Sequence, residues 1–579
     1  MMKMRISEVL AKDVAARNSR LRRFYREEDG SLIVMSLFLL VAMMIMTGIA
    51  IDLERQEERR TVIQATLDRA TLAAADLDQS MAPADVVKDY MKKAGLAYLD
   101  VVPVVEEGEH GEYRRVTAQV IDNMPTIFGA LTHINSLKSK SRSRAQESIG
   151  NVEVSMVLDI SGSMNDTVSG YKTRMDMLKP AARNFVTKVF DQVQPPGAPE
   201  GRLSVSVVPY NMQVTLGTTL GSIYHLSMDH TKNTCVDVQT LGFNSLVISP
   251  TATLQRTMYG DSRDYWGLGY YNPNTYTGLE NCKENPDYSV LAFEDDEGKV
   301  LDKIDELEPG GNTAIDIGAR WGLALLDPSA RPVTEALINK GEIGSAQAVH
   351  PMDYAVDGAP ADETALKIMV LLTDGQNTSS FSTKMAYRTG ASGFYSARSS
   401  SSFSTSNNDY YALYWHSNQR EADGKDDYYS FATGQWVKES ETGYWYYNRG
   451  WRFKNSDAVS IDWQTIWGKN YTLQYVIQNF IYPARNAEDN STSKTGIYDE
   501  MAIESQYGVK DKNLNDICTL AKAKGIRIFT LAVDAPTQAG EVLAACATGP
   551  GYAYEVTSDD MTDAFSSIAS SINALRLTN

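Results

Sequence analysis

Residues 31–51, SLIVMSLFLLVAMMIMTGIAI, contain no charged side chain. As an α-helix this run is about 31 Å long, enough to cross the hydrocarbon core of a bilayer. It exceeds the apolar region of an ordinary signal peptide, and DLERQEERR follows where a small-residue cleavage site would stand. The run therefore reads as a retained transmembrane anchor rather than a buried core helix. Arg17, Arg20, Arg22, Arg23 and Arg26 precede it, whereas the basic residues after it are mixed with Asp52, Glu54, Glu57 and Glu58. The excess of positive charge before the run puts residues 1–30 in the cytoplasm and everything after Ile51 outside.

The remaining chain is long enough for two or three domains. Its 55 basic and 73 acidic side chains give a net charge of −18. That balance argues against a nucleic-acid partner, which would call for a basic face. It fits a soluble body that binds cations or basic partners. The four cysteines allow three pairings, among which sequence alone does not choose. Their placement in two well-separated pairs favours Cys235–Cys282 and Cys518–Cys546; buried free thiols are the other reading. An extracytoplasmic body favours the disulfides.

Residues 52 to about 78 continue as helix, Ala-rich and without Gly or Pro. A small α+β module completes the segment 52–150. ADVVKDYMKKAG reads as a helix ended by Gly95, and LDVVPVVEEGEHGEYRRVTAQVI as two strands around a glycine-containing turn. LKSKSRSRAQES, residues 137–148, is basic and polar and reads as an exposed stretch or linker. From Val152 onward apolar strands alternate with amphipathic helices, the first of which carries an internal Pro180. Such alternation predicts an α/β domain over 151–579, with a doubly wound, mostly parallel, Rossmann-like sheet covered by helices on both faces. Two insertions interrupt it, at about 218–300 and 376–510. The second is dense in Tyr, Ser, Asn and Trp, as in GYWYYNRGWRF. It is either an adaptable protein-binding surface or a decorative or poorly ordered insertion.

In VEVSMVLDISGSM an apolar strand stops at Asp159, with Ser161 and Ser163 following at alternate positions. In VLLTDGQNT another apolar strand is followed by Asp374. Between them, EPGGNTAID puts Thr313 at the start of a helix behind a glycine pair. Doubly wound sheets bind ligands outside the carboxyl ends of their strands, so these three segments can converge. Two carboxylates and three hydroxyls form a hard-oxygen set suited to Mg²⁺, with Mn²⁺ or Ca²⁺ as alternatives. Ser161 and Ser163 are expected to coordinate directly and Thr313 directly or through water. Asp159 and Asp374 would act partly through water. One position stays open for a carboxylate offered by a protein partner. Taken alone, D-x-S-x-S also suits a capped turn.

DISGSM, GGNT and TDG resemble the metal-ion-dependent adhesion site of von Willebrand factor type A domains, a likeness that covers Val152 to Leu577 once the insertions are discounted. That resemblance implies the doubly wound fold, metal binding at Asp159, Ser161, Ser163, Thr313 and Asp374, and adhesion to proteins through the ion. The family motif often reads Gly-Gly-Thr-Asn, whereas here Gly311-Asn312-Thr313 stands. The whole chain is similar to TadG-type proteins of Tad (Flp) pilus assembly: an RRFYREEDGSL lead, one anchor, a helical and mixed module, then a type A domain. Its tail, ICTLAKAKGIRIFTLAV, CATGPGYAYEV and AFSSIASSINALRLTN, matches as well. The resemblance implies a single-pass inner-membrane protein with a periplasmic body, which binds other pilus-assembly or envelope proteins. It also implies a Cys518–Cys546 disulfide. Cleavage after Gly30 would leave Met35 where pilins carry Glu, so prepilin processing is not expected.

An envelope adhesin of the type A family unrelated to pili is the alternative. An enzyme is not expected: none of His110, His133, His225, His230, His350 and His416 lies near the oxygen motif in sequence, and there is no phosphate-cradling glycine loop. His225, His230, Cys235 and Cys282 are zinc ligands by type, but their spacing fits no compact finger.

Overall fold

The uncharged run lies inside one continuous helix, α1 (Asp29–Ala75), in the computed structural model of the protein. The structure describes residues 29–578 except 77–78, 80, 108–112, 149, 197, 259–281, 355–363, 398–412, 418–419, 421, 425–426, 447–449, 454–457 and 470. The arginine-rich lead, residues 1–28, lies outside the described residues. Two units form, Met1–Ser148 and Ile149–Asn579.

In the first unit α1 changes character along its length. Its first part is long and apolar enough to cross a membrane, and side chains such as Phe38 and Met46 are exposed. Its second part buries Ile63, Leu67, Ala70 and Ala74, spaced four, three and four apart, as one face of an amphipathic helix requires. That face packs with α2 (Pro83–Lys93), which is followed by Gly95 at φ +75°, and with an antiparallel sheet of β1 (Val104–Glu107), β2 (Tyr113–Pro125) and β3 (Ser136–Ser148). Strand β3 corrects the linker reading of 137–148. It pairs with β2 along its whole length, from Pro125↔Ser136 to Tyr113↔Ser148. Ser139, Ser141 and Ser143 turn inward while Lys138, Lys140, Arg142 and Arg144 face out. Serine in place of an apolar residue at the inward positions hides the strand's period of two. Ser143 Oγ meets Thr71 Oγ1 of α1 at 2.8 Å.

The second unit has the α/β doubly wound architecture read from the sequence. Its strands β4 (Asn151–Asp159), β5 (Leu203–Tyr210), β6 (Leu291–Glu294), β7 (Ala365–Thr373), β8 (Arg527–Val533) and β9 (Ala553–Val556) form one sheet in the order β6-β5-β4-β7-β8-β9. All pairings are parallel except that of the edge strand β6. The order reverses between β4 and β7, which is the switch point where such sheets open a crevice. One face of the sheet packs on α3 (Arg174–Val193), α4 (Glu297–Glu306) and α8 (Met561–Thr578) through Phe185, Ile304 and Phe565. The other packs on α5 (Ile315–Ala324), α6 (Tyr507–Ala523) and α7 (Thr537–Cys546). Helix α5 lies directly over β4 and β5 because Gly318 and Gly322, one turn apart, present no side chain. A Cβ on Gly318 would sit 2.6 Å from the Tyr210 ring, and one on Gly322 would sit 2.3 Å from Val157 Cγ2.

Both insertion boundaries and one insertion reading change. β6 and the start of α4 belong to the sheet layer, so the first insertion ends before 291 and not at 300; a four-residue strand beyond a long irregular segment carries little pattern. Helix α6 begins at Tyr507, inside the second insertion as read. That insertion is folded: Ala391–Ser396, Leu413–His416, Tyr428–Ser430, Gln435–Val437 and Val459–Asp462 make a five-stranded antiparallel sheet. Phe394, Trp463, Trp467, Phe480 and Tyr498 are buried in a core of its own. Aromatic density here marks a core.

Candidate metal centre

The register of the sheet brings two carboxylates to one edge. β4 pairs with β7 from Asn151↔Ala365 to Leu158↔Leu372, so Asp159 and the Thr373–Asp374 step end side by side. Asp159 is fully buried. Its Oδ1 accepts from the Ser161 N–H at 2.7 Å, and its Oδ2 accepts from Thr373 Oγ1 at 2.6 Å. Ser161 Oγ lies 3.1 Å from Ser163 Oγ, which donates to Asp374 Oδ1 at 2.7 Å. The alternating serines thus link the two strand ends through their hydroxyls.

The glycine pair is pinned between them by its backbone. Gly310 N–H donates to Ile160 O, Gly162 N–H donates to Gly311 O, and Asn211 Nδ2 donates to Gly310 O, each at 2.8 Å. Gly311 has φ +88°, and a Cβ there would come within 3.0 Å of Asn211 Nδ2, so both conformation and space demand glycine. Thr313 is buried and its backbone is held by Thr378, which donates to Thr313 O and accepts from Thr313 N–H. Asn377 Oδ1 accepts from Ile315 N–H at 2.8 Å at the start of α5. A Cβ on Gly375 would stand 4.0 Å from both Ser163 Oγ and Thr313 Oγ1, an ordinary contact distance, so both hydroxyls border the turn after β7. All five oxygen-bearing residues named from the sequence therefore converge on one crevice.

Three residues that hold this crevice were not foreseen. Arg174, the first residue of α3, donates from Nη1 to Ser163 O at 3.0 Å and to Asp374 Oδ2 at 3.2 Å. Lys510 is buried and donates to Thr378 O at 2.9 Å, with Asp316 Oδ1 3.7 Å away. Thr373 carries the hydroxyl on Asp159. The one available signal is Arg174 at a helix N-terminus, where the helix dipole favours anions.

Electrostatically the crevice is short of positive charge. Burial, and then the neighbouring Asp374 carboxylate, push the Asp159 pKa up to about 7. Burial raises Asp374 as well, while the Ser163 hydroxyl and Arg174 oppose it. Arg174 pairs with Asp374 alone of the two carboxylates, and the candidate ligands are all hard oxygens. This set fits a dication of the Mg²⁺ class, with Asp159, Ser161, Ser163, Thr313 and Asp374 as the groups able to hold it.

The cysteines pair as Cys235–Cys282 and Cys518–Cys546. The second joins α6 to the end of α7. The first leaves no thiolate for zinc, and His230 is engaged with Thr257 O at 2.9 Å and the Lys232 N–H at 3.1 Å. Among the described residues no group of three or more His, Cys, Asp and Glu is arranged to hold a metal.

No curated protein matches this chain. Among solved structures it is similar to the pilus adhesin SpaC from Lactobacillus rhamnosus GG, at 12% identity and a TM-score of 0.28, over 82% of this chain and 34% of that one. It thus spans about a third of SpaC. It is also similar to the vWF domain of the type V pili tip protein Mfa5 from Porphyromonas gingivalis, at 14% identity and a TM-score of 0.26, over 73% and 96% of the two chains. Proximal thread matrix protein 1 from the mussel byssus is similar at 11% identity and a TM-score of 0.24, over 73% and 46%. Residues 30–77, the uncharged run and the helix that continues it, match the Tad family model, described as "Putative Flp pilus-assembly TadE/G-like", so this segment of the chain is TadE/G-like.

Proposed function

We propose that this protein is a membrane-anchored component of Tad/Flp pilus assembly that binds protein partners through a divalent cation. It acts by adhesion and not as an enzyme. Mg²⁺ is the first choice of ion, with Mn²⁺ or Ca²⁺ as alternatives. Asp159, Ser161, Ser163, Thr313 and Asp374 would hold it, and the ion would supply a Lewis-acidic site for an acidic group of a pilus-assembly or envelope partner. The observation that carries this reading is the convergence of five oxygen side chains from three distant segments around an under-compensated pair of buried carboxylates. The arginines before the apolar run support an inner-membrane anchor with a cytoplasmic N-terminus and a periplasmic body.

Capture of partners from solubilised membranes tests the function. The full-length wild type should retain a partner in Mg²⁺ and release it in chelator, and Asp159→Ala should retain none in either. Equal capture by wild type in Mg²⁺ and in chelator would refute metal-dependent binding.

A further inference from the structure

From Asn123 to Leu137 the chain has no Asp, Glu, Lys or Arg. This stretch forms the tip of the β2–β3 hairpin, closed by Thr126 N–H donating to Asn135 O and by a short turn over Gly129–Thr132. Ile127, Leu131 and Ile134 are 59%, 69% and 46% exposed there. Scattered exposed apolar residues need no explanation, but these three share one hairpin tip on which His133 is the one ionisable side chain.

The tip is fastened to the end of the uncharged run. Asp52, the first charged residue after that run, is 1% exposed. Its Oδ1 accepts from Ile127 N–H at 3.0 Å and its Oδ2 from Phe128 N–H and Gly129 N–H at 2.8 Å each. One turn earlier Gly48 makes room for Phe128; a Cβ there would lie 2.6 Å from Phe128 Cβ and Cγ. The hairpin then runs alongside α1. Arg59 pairs with Asp122, Gln56 Nε2 donates to Lys138 O at 3.4 Å, and Gln64 Nε2 donates to Arg142 O at 3.0 Å. At 1.5 Å per residue, Gln56 lies about 6 Å and Gln64 about 18 Å beyond Asp52 along the helix. Exposed cations on β3 therefore begin with Lys138, about one turn beyond the apolar tip.

We propose that the β2–β3 tip is a second membrane contact, lying in the interface of the leaflet from which α1 emerges. Ile127, Leu131 and Ile134 meet the acyl boundary, and Lys138 and Lys140 meet anionic headgroups. Two features favour a bilayer over another occupant. The apolar tip is continuous with the apolar surface of α1, and the Asp52 carboxylate at that boundary has exchanged water for three backbone N–H groups, which suits a depth where hydration is poor. Paired contacts also limit rotation of the anchor, which a lone helix leaves free. The inference rests on residues 31–51 spanning the membrane.

Fluorescent labelling of single introduced cysteines tests it, since Cys235, Cys282, Cys518 and Cys546 are all in disulfides. Full-length protein carrying Leu131→Cys, Ile134→Cys, Phe38→Cys or Tyr171→Cys is labelled with a nitrobenzoxadiazole dye. It is then reconstituted into phosphatidylethanolamine–phosphatidylglycerol liposomes. Labels at 131 and 134 should be quenched by doxyl lipids and show a several-fold smaller iodide quenching constant than the label at 171. The label at 38 should be quenched by doxyl lipids whatever the tip does. Quenching at 38 with iodide-accessible labels at 131 and 134 would overturn the proposal and leave the span intact. Shielding at 131 that requires high protein density, without doxyl quenching, would assign the tip to a second copy and overturn it equally. An unquenched label at 38 would remove the span and the proposal with it.

Discussion

Replacing Asp159 by Asn removes a charge while keeping the shape of the side chain. In the wild type this carboxyl is fully buried, and burial with the Asp374 charge raises its pKa from 3.8 to about 7. The folded state therefore holds a proton that the unfolded chain releases near pH 4. Metal-free stability from this group is greatest below pH 4, declines as pH rises towards 7, and is level above that. A rise of about three pKa units sets this loss at no more than about 4 kcal/mol. A bound dication favours the ionised form, so added Mg²⁺ should stabilise strongly at pH 8 and weakly at pH 5. In Asp159→Asn, Oδ1 can still accept from the Ser161 N–H, and the amide faces the Thr373 hydroxyl without charge. Thermal unfolding of the 149–579 unit, with chelator or Mg²⁺, at pH 5 and pH 8, reads these terms. In chelator at pH 8 the variant should melt above the wild type, the gap should narrow by more than half at pH 5, and only the wild type should respond to Mg²⁺. A wild type whose metal-free melting is the same at both pH values would refute the claim that Asp159 is an under-compensated charge. So would an equal Mg²⁺ response in the variant.

Arg174→Met leaves the buried Asp374 without its cation and should lower stability in chelator by about 3–5 kcal/mol by urea unfolding, with Mg²⁺ restoring much of the loss. Gly322→Ala drives a methyl into Val157 and Ser155 under α5, and should lower the urea midpoint by an amount equivalent to about 1–3 kcal/mol. Changing Cys518 and Cys546 together to Ser opens a loop of 28 residues and should lower stability by roughly 3–4 kcal/mol in the same assay.

The parts of the fold visible in the sequence are those in which burial and period coincide. β4 and β7 read as mostly apolar runs, interrupted by Glu153, Ser155 and Lys367, because both faces of a central parallel strand are covered; Asp159 ends the first and Asp374 follows the second. The thirteen-residue strand β3 escaped notice because serines fill its inward positions and cations its outward ones. β6 escaped because four residues after an irregular segment show no period. The insertion at 376–510 was recognisable as an addition but not as a folded one, since buried Trp463 and Trp467 and surface-binding aromatics look alike in a sequence. That the five oxygen residues lie at one end of the sheet was legible because Asp159 ends a strand, Ser161, Ser163 and Asp374 follow strands and Thr313 precedes a helix, positions that pattern alone locates. Arg174 was legible only as a cation at a helix N-terminus, where the dipole favours anions, since its partner Asp374 lies 200 residues away.

That arginine bears on how the site would work. The two buried carboxylates carry −2 when ionised, and Arg174 reduces this to −1; of the other carboxylates near its guanidinium, Asp166 at 3.3 Å is 68% exposed and largely screened by water, and Asp534 at 3.9 Å is 28% exposed and accepts from the Ser558 N–H. Without Arg174 a dication would merely neutralise Asp159 and Asp374, leaving little pull on a further anion. With Arg174 held at Asp374 Oδ2, the same ion would leave Asp159, Asp374 and Arg174 with about one positive charge in excess, by Coulombic counting of these three groups. A carboxylate from a partner would then complete the charge balance. On this view Arg174 would make the loaded site selective for acidic partners, and a contact formed through the ion would depend on a residue that need not touch the metal.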